Sequence, residues 1–302
     1  MPGSSHDHVH DDRNAAVLVY LNGELVPRAR AVVSVLDSGF LMGDGVWEGL
    51  RVYDGKVPFL DAHLDRLYEN ARAIDLDFGM DRQAVKQAVA STIAANGMVD
   101  GVHVRLMVTR GVKSTPFQGT QVNTGPPTVV VLAEYKSPSP ELFDTGLALS
   151  TVHVRRGRPD VQDPALNSHS KLNCVTASIA ASKAGADEGL MLDPHGFVAT
   201  CNSTHFFVVR KGALWTSTGR YCIRGITRAN VISVARDAGI EVRECDFSLT
   251  EVYGADEAFC TGTYAGVLPV RSIDGRGYAP VPGPVTRRIR ALYQARIAED
   301  VA

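Results

Sequence analysis

The chain has 302 residues, of which 45% are hydrophobic and 21% are charged, and its formal net charge is −2. This length is enough for two domains of ordinary size, each with its own core. The near-neutral charge argues against a nucleic-acid partner, and no apolar run approaches the roughly 18 residues that cross a bilayer. The five scattered cysteines form no CxxC pair, so the sequence predicts a reduced, cytoplasmic protein without a disulfide framework or a metal site.

Residues 1–15 and 16–135 differ in composition. The first stretch is polar and His-rich and lacks the apolar core of a signal peptide, so we expect a disordered head. The second predicts a small α/β domain, because apolar strand patterns alternate with amphipathic helices. Strands are expected in AAVLVYLNGELVP around an Asn-Gly turn, within DSGFLMGDGVWEGLRVYDGKVPFL, in GVHVRLMVTRG and in PTVVVLAEY. Helices are expected in DAHLDRLYENARAIDL, capped by Asp61, and in DRQAVKQAVASTIAANG.

A Pro-containing linker at residues 136–141 precedes a larger domain at residues 142–302. This domain begins with a strand in GLALSTVHVRR and a small-residue helix in LNCVTASIAASKAG. A meander of strands follows at residues 188–217, and helices are expected in GITRANVISVARDAG and GPVTRRIRALYQARIAED. The chain therefore predicts an α+β protein of two domains.

Three separate stretches carry groups that suit an anion. RGITRAN places the amides of Ile226 and Thr227 at a helix start, where unpaired N–H groups and the helix dipole attract negative charge, although a plain helix cap has the same pattern. CTGTYAG supplies the hydroxyls of Thr261 and Thr263, and a tight turn between strands explains it equally well. Arg51 alternates with apolar residues in a strand and needs an anion or an edge position. Together they suggest one phosphorylated ligand.

Lys171, in LNSHSKLNC, allows two interpretations. The ordinary one is a solvated charge on the surface. The other is an amine that forms a Schiff base, which requires a partly buried site that lowers its pKa.

These stretches, in this order, resemble the class IV aminotransferase family, which comprises the fold-type IV pyridoxal-phosphate enzymes. The resemblance covers about residues 21–277. It is carried by DSGFLMGDGVWEGLRVYDG, HLDRLYENA, VTRG, AGADEGLMLDPHGFV, GITRANV and ADEAFCTGTYAGVLPVRSIDG. It implies a small N-terminal α/β domain, a larger cofactor-binding domain with a β-barrel-like core, and a homodimer with active sites between the domains.

The resemblance also implies roles for individual residues. Arg51, the amides of Ile226 and Thr227, and the Thr263 hydroxyl would hold the phosphate of pyridoxal 5'-phosphate. Lys171 would form the Schiff base. The long loop at residues 112–127 would lie over the pocket.

The lysine position departs from the family pattern. Counting back without gaps from the glycine of AGADEG places Asn167 where the family has its Schiff-base lysine, and Lys171 follows four residues later. If the helix begins near Ser168, positions 167 and 171 share a face one turn apart. We therefore expect a relocated lysine, the alternative being a shortened helix with Lys171 at the usual place.

A second departure lies beside the ring of the cofactor. The resemblance implies that Thr200 faces the pyridine nitrogen, where the family usually has a glutamate. A carboxylate keeps the nitrogen protonated, whereas a threonine only forms a hydrogen bond. A neutral ring would slow transamination and favour elimination or substitution.

The substrate side is expected to involve the turn after Thr263. By resemblance, Tyr264 and Ala265 would take the substrate carboxylate, with Lys113, Arg155 or Arg156 as helpers. An apolar side pocket is expected from four side chains, which are Trp47, Met42, Phe40 and Phe117.

The function expected from these features is transfer of an amino group between an amino acid or amine and a 2-keto acid. One alternative is a lyase on the same fold, of the elimination or aminodeoxychorismate-lyase kind. Another is a cofactor-free protein that binds a phosphorylated or amino-acid-like ligand, suggested by loss of the usual lysine and glutamate. Retention of the phosphate-type residues argues against it.

Overall fold

The computed structural model describes His6, His8 and residues 10–302. The expected disorder of the head lies outside the described residues for positions 1–5, 7 and 9. For its last residues the expectation is wrong, because Asp12–Ala16 form a 3₁₀ helix. Asn14 explains the order, since its amide donates to Tyr135 O at 2.9 Å and accepts from Tyr135 N at 2.8 Å.

The first half of the chain forms a five-stranded antiparallel sheet in the order β2–β1–β5–β4–β3. The strands are β1 (Leu18–Leu21), β2 (Glu24–Pro27), β3 (Gly45–Val52), β4 (Val102–Thr109) and β5 (Thr128–Tyr135). The helices are α1 (Ser38–Met42), α2 (Leu60–Ala73) and α3 (Arg82–Ala95). Helix α2 begins one residue before Asp61, with Phe59 at the N-cap, so Asp61 lies in the first turn and is not the cap.

Strand β4 shows how this sheet divides its two faces. Val102, Val104, Leu106 and Val108 are buried, while the residues between them are half-buried, as expected when successive side chains point to opposite faces. The buried face packs against α2 and α3 through residues such as Leu64, Leu67, Val85 and Val89. The other face remains for contact with the second half of the chain.

The second half forms a larger sheet in the order β11–β10–β9–β12–β13–β6–β7–β8, with β14 paired to β13. Its strands are β6 (Leu147–Thr151), β7 (Glu188–Leu192), β8 (Val198–Cys201), β9 (His205–Arg210), β10 (Ala213–Thr216), β11 (Val242–Glu244), β12 (Glu257–Gly262), β13 (Gly266–Ile273) and β14 (Arg276–Gly277). Its helices are α4 (Leu142–Thr145), α5 (Leu172–Lys183), α6 (Ile226–Asp237), α7 (Leu249–Tyr253) and α8 (Pro284–Val301).

This sheet curls, because strand β8 at one end leads directly into β9 near the other. Cys201 N donates to Thr204 O at 2.9 Å across the turn that joins them. The curled sheet encloses a core that includes Leu149, Leu190 and Phe206. The expected α+β architecture with a barrel-like core is confirmed. Within the described part of the chain, no helix combines the length and hydrophobicity needed to span a membrane.

Candidate active site

Two neighbouring cavities are lined by residues from both halves of the chain. One has a volume of about 100 Å³ and contains the start of α6, and we call it the Thr227 cavity. The other has a volume of about 320 Å³ and contains Lys171, and we call it the Lys171 cavity. Trp47, Arg105 and Asn167 line both, so the cavities share a wall.

The Thr227 cavity has the features of an anion site. Ile226 and Thr227 form the first turn of the 12-residue helix α6, whose amide groups carry the positive end of the helix dipole. In the wall formed by β12, the hydroxyl of Thr261 is buried without a hydrogen-bond partner, and Thr263 lines the same cavity from the turn after this strand. An anion bound here would meet unpaired donors from two elements.

Gly225 keeps the start of α6 close to β9. A Cβ atom at this position would overlap the imidazole of His205. That ring is fixed, because its Nε2 lies 2.7 Å from Ile223 O. Burial lowers the pKa of His205 to about 4, so the ring is neutral at pH 7 and Nε2–H donates to the carbonyl.

Arg66 is the arginine that the first half of the chain supplies to the Thr227 cavity beside the start of α6. Its Nε donates to Glu48 Oε1 at 2.8 Å, its NH2 to Glu48 Oε2 at 2.6 Å, and its NH1 to Arg224 O at 2.8 Å. Glu48 is fully buried and also contacts His63 Nδ1 at 2.7 Å. A guanidinium has five N–H groups, so two remain for a ligand.

Arg51, the arginine expected at the phosphate, lies elsewhere. Its NH1 donates to Lys136 O at 2.9 Å, and its guanidinium lies 5.6 Å from the ring of Tyr264. It lines neither cavity. The structure therefore brings Ile226, Thr227 and Thr263 together with Arg66, and not with Arg51.

Lys171 is mostly enclosed within its cavity. Burial is the main reason that its pKa falls from 10.5 to about 8, and the cations of Arg156, Arg66 and Arg105 lower the pKa further against an opposing contribution from Cys174. Its Nζ lies 5.4 Å from the centre of the Trp47 ring. A substantial neutral fraction of this amine near pH 8 gives it the nucleophilicity that a surface lysine lacks.

Lys171 and Asn167 are not related by a helical turn, contrary to our expectation. Helix α5 begins at Leu172 with Lys171 at its N-cap, and Ser168 pairs with Val46 in an isolated bridge. The reason is the extended pairing of residues 167–169 with β3, in which Trp47 N donates to Asn167 O at 3.1 Å. Both side chains nevertheless line the Lys171 cavity.

Thr200 also lines the Lys171 cavity and is buried. Its hydroxyl lies 2.8 Å from Thr204 O, and because a carbonyl only accepts, the threonine donates. The hydroxyl of Thr204 in turn donates to Glu188 Oε2 at 3.0 Å. Thr200 therefore offers only lone pairs to a ligand.

The expected substrate residues are partly brought together. Tyr264 and Ala265 line the Thr227 cavity, and Trp47 lines both cavities. Strand β4 adds Arg105, whose guanidinium lies 3.7 Å from the centre of the Trp47 ring and whose pKa is lowered by burial. Arg156 lines the Lys171 cavity, as proposed for a helper.

The expected apolar side pocket is otherwise absent from the cavity walls. Phe40, Met42 and Phe117 are exposed and line neither cavity. No residue of the loop at 112–127 lines them either, because the loop folds on itself, with the buried Lys113 donating to Asn123 Oδ1 at 2.9 Å. Arg155 is likewise not part of either wall.

Sequence reasoning missed Arg66 and Arg105. Arg105 carried a signal, because a charged residue alternating with buried valines in a predicted strand must face a polar site. Arg66 carried less, since an arginine on an amphipathic helix is ordinarily solvent-exposed, and only the buried Glu48 explains its position.

Known proteins resemble this chain over nearly all its length. It is 41% identical over 283 residues to "branched-chain-amino-acid aminotransferase-like protein 2" of Arabidopsis thaliana, covering 93% of this chain and 50% of the relative. It is 42% identical over 279 residues to a "putative branched-chain-amino-acid aminotransferase" of Methanocaldococcus jannaschii, covering 91% and 95%. The chain spans about half the length of the two Arabidopsis relatives that it matches.

A solved structure shares the fold. The branched-chain aminotransferase of Thermoproteus uzoniensis, solved with norvaline, superposes with a TM-score of 0.85 at 31% identity, covering 94% of this chain and 96% of that one. Other branched-chain aminotransferases of the same fold were solved with phosphopyridoxyl-glutamate or pyridoxamine 5'-phosphate. A family model described as amino-transferase class IV matches residues 45–273, which include most residues of both cavities. The chain therefore belongs to the class IV aminotransferase family, whose cofactor is pyridoxal 5'-phosphate.

Proposed function

We propose that the chain is an aminotransferase that moves an amino group between an amino acid and a 2-keto acid, with Lys171 as its catalytic amine. The observation that carries this proposal is the enclosed Lys171 amine, with its pKa near about 8, in a cavity that shares a wall with an anion site. The family and the cofactor are compatible with this arrangement.

The residues of the two cavities fit pyridoxal 5'-phosphate. The unpartnered Thr261 hydroxyl, the first-turn amides of α6, the Thr263 hydroxyl and the spare N–H groups of Arg66 would hold its phosphate. Lys171 would supply the amine for covalent attachment. The bound cofactor supplies an aldehyde that condenses with amines and a ring that takes up electron density from the substrate α-carbon.

The protein's own part in the reaction is proton transfer and substrate orientation. The Lys171 amine, once free, takes the proton from the substrate α-carbon and later returns a proton at the adjacent carbon. Arg105 and Arg156, together with the Tyr264–Ala265 turn, would hold the substrate carboxylate. Trp47 would shield this region from water.

The test of Lys171 is reductive trapping. The protein is incubated with pyridoxal 5'-phosphate, reduced with borohydride and mapped by peptide mass spectrometry. We expect the label on Lys171, its loss in Lys171→Met, and its retention in Lys183→Met, since Lys183 is the exposed lysine at the other end of α5. A label on another lysine, or none on a folded protein, would refute the assignment.

A lyase remains the second candidate, and Thr200 is the observation that favours it. A hydroxyl whose hydrogen is already donated to Thr204 O carries no charge to hold the ring nitrogen protonated. Turnover with and without a 2-keto acid separates the two activities. An aminotransferase needs the acceptor for repeated turnover, whereas a lyase releases product without it.

The proposal includes a homodimer. Val32, Val35 and Phe40 are 73%, 72% and 73% exposed, and Phe40 also lines an apolar cavity of about 430 Å³. An apolar surface of this kind suits a second copy of the chain. Light scattering on the wild type and on Phe40→Asp tests it, with a dimer expected for the first and a shift toward monomer for the second.

We also propose that the protein works in the cytoplasm. The five cysteines are all free thiols, and Sγ of Cys201 and Sγ of Cys260 remain unbridged at 3.8 Å. A reducing compartment keeps thiols in this state. Fractionation of the source cells, with immunodetection of the chain, tests the compartment.

A further inference from the structure

Asn167 holds its side-chain amide in one orientation at the wall between the two cavities. Trp47 N donates to Asn167 O at 3.1 Å, and Asn167 Nδ2 donates to Trp47 O at 2.6 Å. Reversing the amide would bring two oxygens together, since a carbonyl has no hydrogen to donate. The Nδ2 end therefore faces β3.

The other end, Oδ1, is buried and has no hydrogen-bond partner. Asn167 is only 1% exposed and lines both the Thr227 and the Lys171 cavities. A buried carbonyl without a donor opposes folding, so such an atom in a cavity wall indicates a ligand that supplies the donor.

The charges of the cavities indicate which kind of donor would come. Arg66, Arg105, Arg156 and Lys171 are the charged side chains in the walls, and no carboxylate lines either cavity among the described residues. An amino acid is a zwitterion, and its carboxylate suits the arginines. Its ammonium group needs an oxygen that still accepts.

The other side-chain amide oxygen in the walls does not meet this need. Asn202 Oδ1 accepts from Gly189 N at 2.6 Å, whereas Asn167 Oδ1 accepts from no group in the described structure. Lys171 is a primary amine in the same cavity, yet it leaves this oxygen without a partner.

We propose that Asn167 Oδ1 accepts a hydrogen bond from the amino group of the incoming amino acid. This inference rests on the proposed function and adds to it a substrate class, the α-amino acid bound as a zwitterion. Asn167 is then a positioning residue that orients the amine toward the position where Lys171 reacts.

Two variants separate this role from a structural one. Asn167→Leu removes both the acceptor and the bond to Trp47 O, while Asn167→Asp removes only the donor to Trp47 O and keeps an accepting oxygen. The ligands are L- and D-leucine and 4-methylpentanoate, which is leucine without its amino group. Dissociation constants are measured by absorbance titration of the cofactor-loaded protein and by calorimetry, after thermal unfolding confirms that each variant is folded.

The inference expects Asn167→Leu to weaken the binding of the preferred leucine enantiomer by about 10- to 100-fold, the loss of a hydrogen bond to a charged group. Binding of 4-methylpentanoate should not change, and Asn167→Asp should retain leucine. Equal weakening of both ligands, or the same leucine loss in both variants, would show a structural role and overturn the inference. A shift only in the pH dependence of cofactor attachment, with leucine binding intact, would assign the oxygen to Lys171 and also overturn it.

Failure of the proposed function gives a different result. A wild-type protein that binds leucine but never transfers its amino group to a 2-keto acid would refute the aminotransferase, while the comparison of the two ligands still decides the role of Asn167. A wild-type protein that binds neither leucine enantiomer would refute the inference itself.

Discussion

At the scale of single residues, the environment of Lys171 makes a prediction about pH. Only the neutral amine attacks an aldehyde, and burial with nearby arginines lowers the pKa of Lys171 to about 8. The rate of cofactor attachment should therefore rise with pH, reach half its maximum near about pH 8 and then level off. Stopped-flow absorbance on the cofactor-free protein measures this rate.

The controls for that measurement lie on the same helix. Lys183→Met should leave the profile unchanged, because Lys183 is exposed, and Lys171→Met should abolish the fast attachment. A rate that climbs only near the pKa of an ordinary lysine, about 10.4, would contradict the burial of the reacting amine.

Glu48 supports a second prediction at this scale. Burial by itself would raise the pKa of Glu48, but Arg66 and His63 outweigh burial and hold the pKa below its usual range. Glu48→Gln would leave a buried guanidinium without its counter-charge, so we expect a loss of about 3–5 kcal/mol in the free energy of unfolding. Weaker cofactor binding should accompany it, because Arg66 loses its fixed orientation.

Urea denaturation and cofactor titration measure both effects for Glu48→Gln. Glu134→Gln is the matched control, since Glu134 pairs with Arg28 at 2.8 Å on a partly exposed surface. That pair should contribute about 0–1 kcal/mol. Similar losses in the two variants would argue against a special role for the buried carboxylate.

At the scale of secondary-structure elements, the start of α6 depends on the space at Gly225. Its φ of −69° is ordinary for any residue, so only sterics exclude a side chain there. Gly225→Ala would force either the His205 ring or the first turn of α6 to move. We expect a destabilisation of about 1–3 kcal/mol and a clear loss of cofactor affinity.

Gly157→Ala is the control for Gly225→Ala. The nearest atom to a Cβ at Gly157 lies 4.0 Å away, so the added methyl group meets no close neighbour. Thermal unfolding and cofactor titration should therefore give values near those of the wild type. If Gly225→Ala also retains full affinity, the α6 turn is not part of the phosphate site.

At the scale of the whole molecule, the sequence predicted the elements better than their contacts. Helix α3 and strands β4 and β5 follow periodicity that any buried face imposes, and the start of α6 follows from its glycine. The place of Arg51 and the extended pairing at Asn167 depend on contacts between residues 85 and 120 positions apart, which no local pattern encodes. The same reason hid Arg66, whose partners lie on β3 and beyond β10.

The core of the first half supports a final prediction about domain independence. Its buried cluster consists entirely of residues between Val17 and Ala133, and the sheet is complete within this part of the chain. A fragment of residues 1–141 should therefore fold alone, with one cooperative urea transition and a free energy of unfolding on the order of 5 kcal/mol. It should not bind pyridoxal 5'-phosphate, because Lys171 and Thr227 lie outside it. A fragment without a cooperative transition would mean that the face carrying Trp47 and Arg105 needs the second half to be stable.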